Sequence, residues 1–240
     1  MKKKKSKKLV MLMVIFMFGM SVIHLPVVNA GEKTTKTKAV CTIKKYSDTY
    51  KNSENQVIAV YSYQLPQLSG NSEVVKKINA SLKKDYKESL EGKEKCFETA
   101  KEFEKYKAYI NPEVPLCTKT TCKISYNKNG YVSFKYHSRW YAGGVGNTWT
   151  YGMTYDLKTG KKLTVSHVIS GNKSAVKKKI INKYCSKIAD SDEAKEELNG
   201  MKISDFQFYL KNGKVVVCFG PYQPGGGNRE SHITLKGNYE

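Results

Sequence analysis

The sequence offers few groups that could hold a metal ion and no recognisable catalytic motif. It has four histidines, and the three beyond residue 30, His137, His167 and His232, lie far apart in the chain. Its six cysteines form no Cys-x-x-Cys pair, so a zinc site of the usual spacing is a poor interpretation. Gly-x-Ser-x-Gly, His-Glu-x-x-His and a phosphate-binding glycine loop are also absent. We therefore expect no metal, no cofactor and no catalytic residue, with an enzyme of unrecognised type as the weaker alternative.

Acidic residues are scarce relative to basic ones. The chain has 42 Lys and Arg against 21 Asp and Glu, a net charge of +21. Six of the lysines and none of the acids lie in the first 30 residues, so the remainder carries +15. Such a surface attracts anionic polymers, among them nucleic acid and anionic wall polymers. A lysine-rich genome with solvated lysine faces is the alternative explanation.

The first 30 residues predict a secretory signal peptide. Lysines precede an apolar run over residues 9–25, and residues 26–30 end in the small residue Ala30, after which we expect cleavage. A retained membrane anchor is the alternative, because the run approaches the roughly 17–25 residues that span a bilayer. No cysteine follows the run closely, which argues against a lipoprotein. The expected location is extracellular, in association with the cell wall, and export makes nucleic acid the weaker partner.

All six cysteines lie beyond the signal segment, at Cys41, Cys96, Cys117, Cys122, Cys185 and Cys218. An even number in an exported chain favours disulfides, but it leaves the connectivity open. The short spacing of Cys117 and Cys122 suggests that these two form a bridge, closing a small loop at the start of a strand.

Residues 134–165 form the stretch around which the rest of the chain is organised. Two alternating, aromatic runs flank a glycine kink at residues 143–146, and the second leads into a turn at residues 157–161 that Asp156 is expected to cap. Alternation predicts strands with one buried face, so we expect paired hairpins at the centre of a sheet. Asn-Gly turns at residues 129–130 and 212–213 predict further hairpins.

The rest of the sequence predicts two further strands, and helices between the hairpins. Two strands, at residues 39–46 and 56–65, precede a helix that Asn71 or Ser72 is expected to cap and that has one apolar face. Gly92 interrupts its pattern, and a weaker pattern continues to about Tyr109. A second helix starts near Asn172, and a short one covers residues 191–200. This order predicts an α+β fold, a mainly antiparallel sheet built from hairpins with two principal helical segments packed on it. We divide the chain into a signal peptide (1–30), an N-terminal β-β-α part (31–115) and a C-terminal part (116–240).

Aromatic residues near the glycine kink form the candidate binding site. Aromatic faces stack on sugar rings and glycine allows close approach of a ligand, so a glycan groove is a hypothesis for this region. Core packing or cross-strand pairing is the alternative role of the same side chains. A long loop near residue 222 is a second candidate, or only a turn. The candidate ligand-binding residues are Arg139, Trp140, Tyr141, Trp149, Tyr151 and Tyr222.

Several short segments resemble a paired bacterial extracytoplasmic domain of unknown function. They are Tyr-Gln-Leu-Pro-Gln-Leu at 63–68, Tyr-Ala-Gly-Gly at 141–144, Tyr-Asp-Leu-Lys-Thr-Gly at 155–160 and Gly-Pro-Tyr at 220–222. The pair is similar to the extracellular half of the lysozyme-sensing anti-sigma factor RsiV and to the segment before the catalytic module of some peptidoglycan deacetylases. The family commonly continues Gly-Gly with Ala-His, where this chain has Val145 and Gly146. Because only eight residues precede the apolar run and no deacetylase module follows, we expect a free-standing version.

The sequence is consistent with three functional hypotheses. The first is a secreted, non-catalytic envelope protein that binds peptidoglycan or anionic wall polymers. The second, implied by the resemblance, is a module that captures a lysozyme-like muramidase through the densest acidic cluster, Asp190, Asp192, Glu193, Glu196 and Glu197. The third is a wall hydrolase or deacetylase without a recognisable motif.

Overall fold

The structure is a computed structural model that describes residues 38–106, 108, 110–188, 191–225 and 227–240. The predicted signal peptide therefore lies outside the described residues. Among the helices that are described, none is long and apolar enough to cross a membrane. The described elements are eight strands in two sheets and three α-helices, which confirms the predicted α+β class.

The first sheet has five strands in the order β1 to β5. They are β1 (Cys41–Lys51), β2 (Val57–Leu68), β3 (Leu116–Lys128), β4 (Tyr131–Tyr141) and β5 (Gly146–Asp156). Every neighbouring pair is antiparallel except β2 and β3, which are parallel. Helix α1 (Glu73–Lys105) joins these two strands, as parallel neighbours require a crossover connection.

Helix α1 packs its apolar face on the sheet. Its N-cap is Ser72, whose hydroxyl accepts a hydrogen bond from the Val75 N–H at 3.2 Å, and Ile78 and Leu82 are fully buried. The helix continues through Gly92 without a break, so the interruption predicted there is absent, and Cys96 and Ala100 of the predicted continuation are buried. Gly92 faces β3, where an added Cβ would lie 3.2 Å from the Thr118 methyl group, so the missing side chain allows close packing.

The second sheet contains β6 (Gln207–Lys211), β7 (Lys214–Phe219) and β8 (Ser231–Lys236), all antiparallel. Helices α2 (Lys173–Cys185) and α3 (Asp192–Gly200) contribute to its core, and α2 begins at Asn172 as predicted. The core is largely aliphatic and includes Val176, Ile180, Leu198, Val215, Val217 and Ile233. The Asn212-Gly213 turn joins β6 to β7, with positive φ at both residues.

The two sheets meet at a buried hydroxyl and a glycine. The Ser133 hydroxyl of β4 accepts a hydrogen bond from the Leu210 N–H of β6 at 2.9 Å and lies 2.8 Å from the Thr154 hydroxyl of β5. A Cβ added to Gly152 of β5 would lie 2.1 Å from the Phe208 carbonyl oxygen. Only glycine therefore allows β6 to approach β5 at this point.

The predicted hairpin of residues 134–165 is confirmed for β4 and β5, but its place in the sheet is different. Strand β5 is the edge of the five-stranded sheet, whereas β3 is its centre. That sheet also takes strands from both sides of residue 115, so the boundary proposed there does not separate the two sheets. Sheet order depends on contacts between distant segments, which an alternating pattern does not contain.

The predicted bridge between Cys117 and Cys122 is wrong for this structure. Both residues lie on β3, and all six cysteines are free thiols. At about 3.3 Å per residue, five residues along a strand separate the two Cα atoms by roughly 16 Å, and the odd spacing points the side chains to opposite faces. A disulfide needs Cα atoms within about 7 Å.

Candidate functional site

A cleft with a volume of about 590 Å³ opens along the edge strand β5, and we call it the edge cleft. Its lining comes from α1, from β3, β4 and β5, and from the second sheet and the loops beside it. The lining residues used below are Asp85, Glu88, Ser89, Thr118, Thr120, Ser138, Trp149, Tyr151, Lys162, Asp205 and Gln223.

A carboxylate of α1 is held by two tyrosines at the base of this cleft. The hydroxyl of Tyr63 on β2 and the hydroxyl of Tyr151 on β5 both donate to Oδ2 of Asp85, the latter at 3.0 Å. Burial raises the pKa of the Asp85 carboxyl above its usual 3.8, and the two hydrogen bonds and Lys162 oppose this shift without cancelling it. No described residue donates to the other oxygen, Oδ1, which is left for a ligand or solvent.

The tyrosines beneath the cleft form a packed aromatic layer. The ring of Tyr136 stacks on that of Tyr151, with centroids 4.7 Å apart and planes 6° apart, and lies 6.2 Å from the ring of Tyr63. Burial raises the pKa of all three phenols, so they remain protonated donors across the physiological range. Among the described residues, the buried Tyr136 hydroxyl has no hydrogen-bond partner. The layer fixes the position of Asp85 relative to β5.

Hydroxyl groups and one indole form the polar floor. Thr120 and Ser138 are buried, and their hydroxyls are hydrogen-bonded at 2.7 Å. Trp149 lies opposite Ser138 in the β4–β5 register, so a half-buried indole stands beside this hydroxyl pair. An aromatic face next to several hydrogen-bonding groups suits a ligand with apolar faces and polar edges, which is the chemistry of a sugar ring.

The edge cleft is acidic although the chain is basic. Three carboxylates line it, Asp85 and Glu88 from α1 and Asp205 from the segment before β6, against the single cation Lys162. Glu88 is also 3.7 Å from the ammonium of Lys84, but both side chains are mostly exposed and such a pair is weak. Acidic residues therefore outnumber basic ones in the lining, whereas basic residues outnumber acidic ones in the whole chain.

The six predicted ligand-binding residues do not form one site. Trp149 and Tyr151 line the edge cleft, whereas Arg139, Trp140 and Tyr141 line a separate cavity of about 360 Å³ at the end of the β4–β5 hairpin. Tyr222 is 63% exposed in the loop between β7 and β8, and Gln223 beside it lines the edge cleft.

Sequence reasoning missed the contribution of α1. Asp85 and Ser89 lie at helical spacing on the face that also carries Leu82, so the sequence did contain a signal for these two residues. A carboxylate and a hydroxyl on an otherwise apolar helix face indicate a polar partner on the sheet.

The remaining predicted residues have local structural contacts. Asp156 accepts hydrogen bonds from the N–H groups of Lys158 and Thr159 at 2.8 and 2.7 Å, so the predicted cap is confirmed. Of the acidic cluster, Asp190 lies outside the described residues. The other four lie on α3, where Glu197 accepts a hydrogen bond from the Gly225 N–H at 3.1 Å.

Several residues of the edge cleft belong to a segment that matches the model of a known family. Residues 51–148 match the family model described as "Deacetylase PdaC". The match spans less than half of the chain, and it contains Tyr63, Asp85, Thr120 and Ser138. No curated protein matches the chain.

Solved structures similar to this fold come from the DUF3298 family. A member from Bacteroides fragilis has a TM-score of 0.56 and 16% identity, covering 84% of this chain and 92% of its own. A second, from Pseudomonas aeruginosa, has a TM-score of 0.51 and 12% identity, covering 83% of this chain and 90% of its own. These similarities support the fold of a PdaC-like and DUF3298-like domain, and the similarity to RsiV stays a prediction.

Proposed function

We propose that the protein is a secreted, non-catalytic envelope protein whose edge cleft binds the glycan chain of peptidoglycan. The observation that carries the proposal is the position of Trp149 beside the Thr120–Ser138 hydroxyl pair, with Asp85 at the base. The indole would stack on a sugar face, while the hydroxyls and the carboxylate would pair with the polar groups at its edge.

In this proposal, anionic wall polymers contact the exposed lysines and not the edge cleft. The acidic lining of the edge cleft would repel their phosphates, whereas the exposed lysines elsewhere would attract them. We therefore propose that anionic polymers bring the protein to the wall through screened, long-range attraction, and that the cleft provides the glycan contact.

The arrangement of Asp85 supports binding rather than turnover. One carboxylate oxygen already accepts hydrogen bonds from Tyr63 and Tyr151, which positions the group and restricts its movement. A glycosidase would need a second carboxyl at a defined distance across the bond to be broken. Asp205 also lines the cleft, but it belongs to the turn before β6, where it accepts a hydrogen bond from the Lys202 N–H at 2.8 Å.

The test is co-sedimentation with purified peptidoglycan from which anionic polymers have been removed. Trp149→Ala should weaken binding about tenfold or more, as expected for loss of a central aromatic contact. Trp140→Ala, the other tryptophan, is the matched control and should bind as the wild type does. Binding to stripped peptidoglycan should survive added salt, while the extra binding to intact walls should not.

Three results would reject the proposal. Equal binding by the Trp149→Ala variant would remove the edge cleft as the site. Release of reducing ends or acetate during the incubation would show catalysis. Absence of binding to peptidoglycan, together with a stable complex with a lysozyme-like muramidase, would favour the protein-capture alternative.

A further inference from the structure

We propose that the edge cleft selects a positively charged amino sugar, a wall glycan unit whose amine is not acetylated. This inference rests on the proposed glycan function and adds the chemical class of the ligand. It stands on the lining of the edge cleft: an indole opposite Ser138 in the strand register, a hydroxyl pair, and three carboxylates from α1 and the segment before β6.

The first step is the free oxygen of Asp85. Tyr63 and Tyr151 both donate to Oδ2, so the orientation of the carboxylate is fixed and Oδ1 has no described protein donor. A ligand that donates a hydrogen bond from a charged nitrogen would complete this group. Hydrogen bonds between ions are stronger than neutral ones, particularly in a partly buried site.

The second step is the charge of the lining. Glu88 lies one helical turn from Asp85 on α1, and Asp205 comes from the segment before β6, with Lys162 as the one cation in the lining. An N-acetyl group would meet these carboxylates with a neutral amide, whereas an ammonium would meet them with a full positive charge. A lining with three carboxylates and one cation thus favours the amine over its acetylated form.

The third step is the aromatic platform. A simple polyamine would satisfy the carboxylates but would leave the indole of Trp149 without a stacking partner and would make no use of the Thr120–Ser138 hydroxyl pair. A sugar ring that carries an ammonium uses all three features at once. The ligand class is therefore an amino sugar and not a cation alone.

The experiment is calorimetric titration of the full protein with three probes: a glucosamine tetramer, an N-acetylglucosamine tetramer and spermidine. The buffer is held at about pH 6, where an amine of ordinary pKa is protonated. The wild type should bind the glucosamine tetramer about tenfold or more tightly than either other probe. Asp85→Asn and Glu88→Gln should each reduce that preference, while Glu98→Gln, an exposed change on the same helix, should preserve it.

The outcomes separate this inference from the function on which it rests. Equal affinity for the two tetramers would overturn the charge selectivity and leave glycan binding intact. Spermidine binding as tight as that of the glucosamine tetramer would also overturn it, because the sugar would then contribute nothing. Failure of both tetramers to bind a folded protein would reject the proposed function as well.

Discussion

The Tyr151 hydroxyl donates a hydrogen bond to the Asp85 carboxylate at 3.0 Å, and this contact joins helix α1 to the edge strand β5. Tyr151 lies two residues after Trp149, so the same contact positions the indole in the edge cleft. Asp85 thus connects the packing of the first sheet to the candidate site.

Removing the Tyr151 hydroxyl should weaken both the fold and glycan binding in the edge cleft. Tyr151→Phe keeps the stacked ring on Tyr136 but deletes one of the two donors to Asp85, which should cost about 1–3 kcal/mol of unfolding free energy. Glycan affinity should fall as well, because Asp85 and β5 lose their connection. Chemical denaturation and co-sedimentation measure the two effects. Unchanged stability together with unchanged binding would show that the contact positions nothing.

Replacing Asp85 should change how stability depends on pH. The folded-state pKa of Asp85 is raised above 3.8, so its contribution to stability is fully present below that value and is lost as pH rises through the raised pKa. Acidification from neutral pH should therefore stabilise the wild type relative to Asp85→Asn. Asn retains an acceptor for the tyrosine hydroxyls, and the comparison cancels carboxylates whose pKa is lowered, such as Asp48.

The measurement is urea denaturation of both proteins across the acidic range, with Glu98→Gln as the exposed control on the same helix. The account is contradicted if the wild type loses stability relative to Asp85→Asn as the pH falls. That result would mean that the two tyrosine hydrogen bonds outweigh burial.

The junction of the two sheets should be sensitive to Ser133. Ser133→Ala removes the acceptor of the Leu210 N–H and the partner of the Thr154 hydroxyl, both in a buried site. Leaving these groups unpaired should lower the unfolding free energy by about 1–3 kcal/mol. Hydrogen exchange at the Leu210 amide should accelerate. A Ser133→Ala protein that protects this amide as the wild type does would contradict the described junction.

Replacing Gly152 should destabilise the protein, whereas replacing Gly200 should not. Gly152→Ala would place a methyl group 2.1 Å from the Phe208 carbonyl oxygen, a backbone atom that has little freedom to move. Overpacking of this kind typically costs about 1–3 kcal/mol. Gly200→Ala, at the end of α3, meets no atom within 4 Å and should be tolerated. Thermal melts of both variants test the difference, and equal melting temperatures would refute the contact.

Cysteine reactivity should follow burial. Burial raises the pKa of Cys122 and of Cys218 to about 12, so little thiolate is available at either site. Alkylation of the native protein should therefore modify half-buried Cys185 before these two. Mass spectrometry over time gives the order. Recovery of Cys117 and Cys122 in one disulfide-linked peptide would contradict the straight course of β3.

Local patterns predicted much of the fold. The Asn129-Gly130 and Asn212-Gly213 turns and the two helix starts each depend on neighbouring residues, and the structure has them where they were expected. Of the two candidates for the first cap, Asn71 and Ser72, the structure has Ser72. The apolar face of α1 likewise followed from helical spacing.

The arrangement of strands and the site depended on distant contacts. The parallel pairing of β2 with β3 and the edge position of β5 follow from tertiary packing, which alternation does not reveal. The aromatic cluster predicted near the glycine kink contains Trp149 and Tyr151, which line the edge cleft, but also Trp140, which lines another cavity. Asp85 was missed because its partners, Tyr63 and Tyr151, are 22 and 66 residues away.

The central claim is that Trp149 contacts a glycan in the edge cleft, and tryptophan fluorescence tests it most directly. The chain has two tryptophans, so Trp140→Phe leaves Trp149 as the single reporter. Titration of this variant with soluble glycan fragments of peptidoglycan should give a saturable change in emission, and Trp149→Phe should give none. A change that persists in Trp149→Phe, or no change in a folded Trp140→Phe protein, would contradict the account.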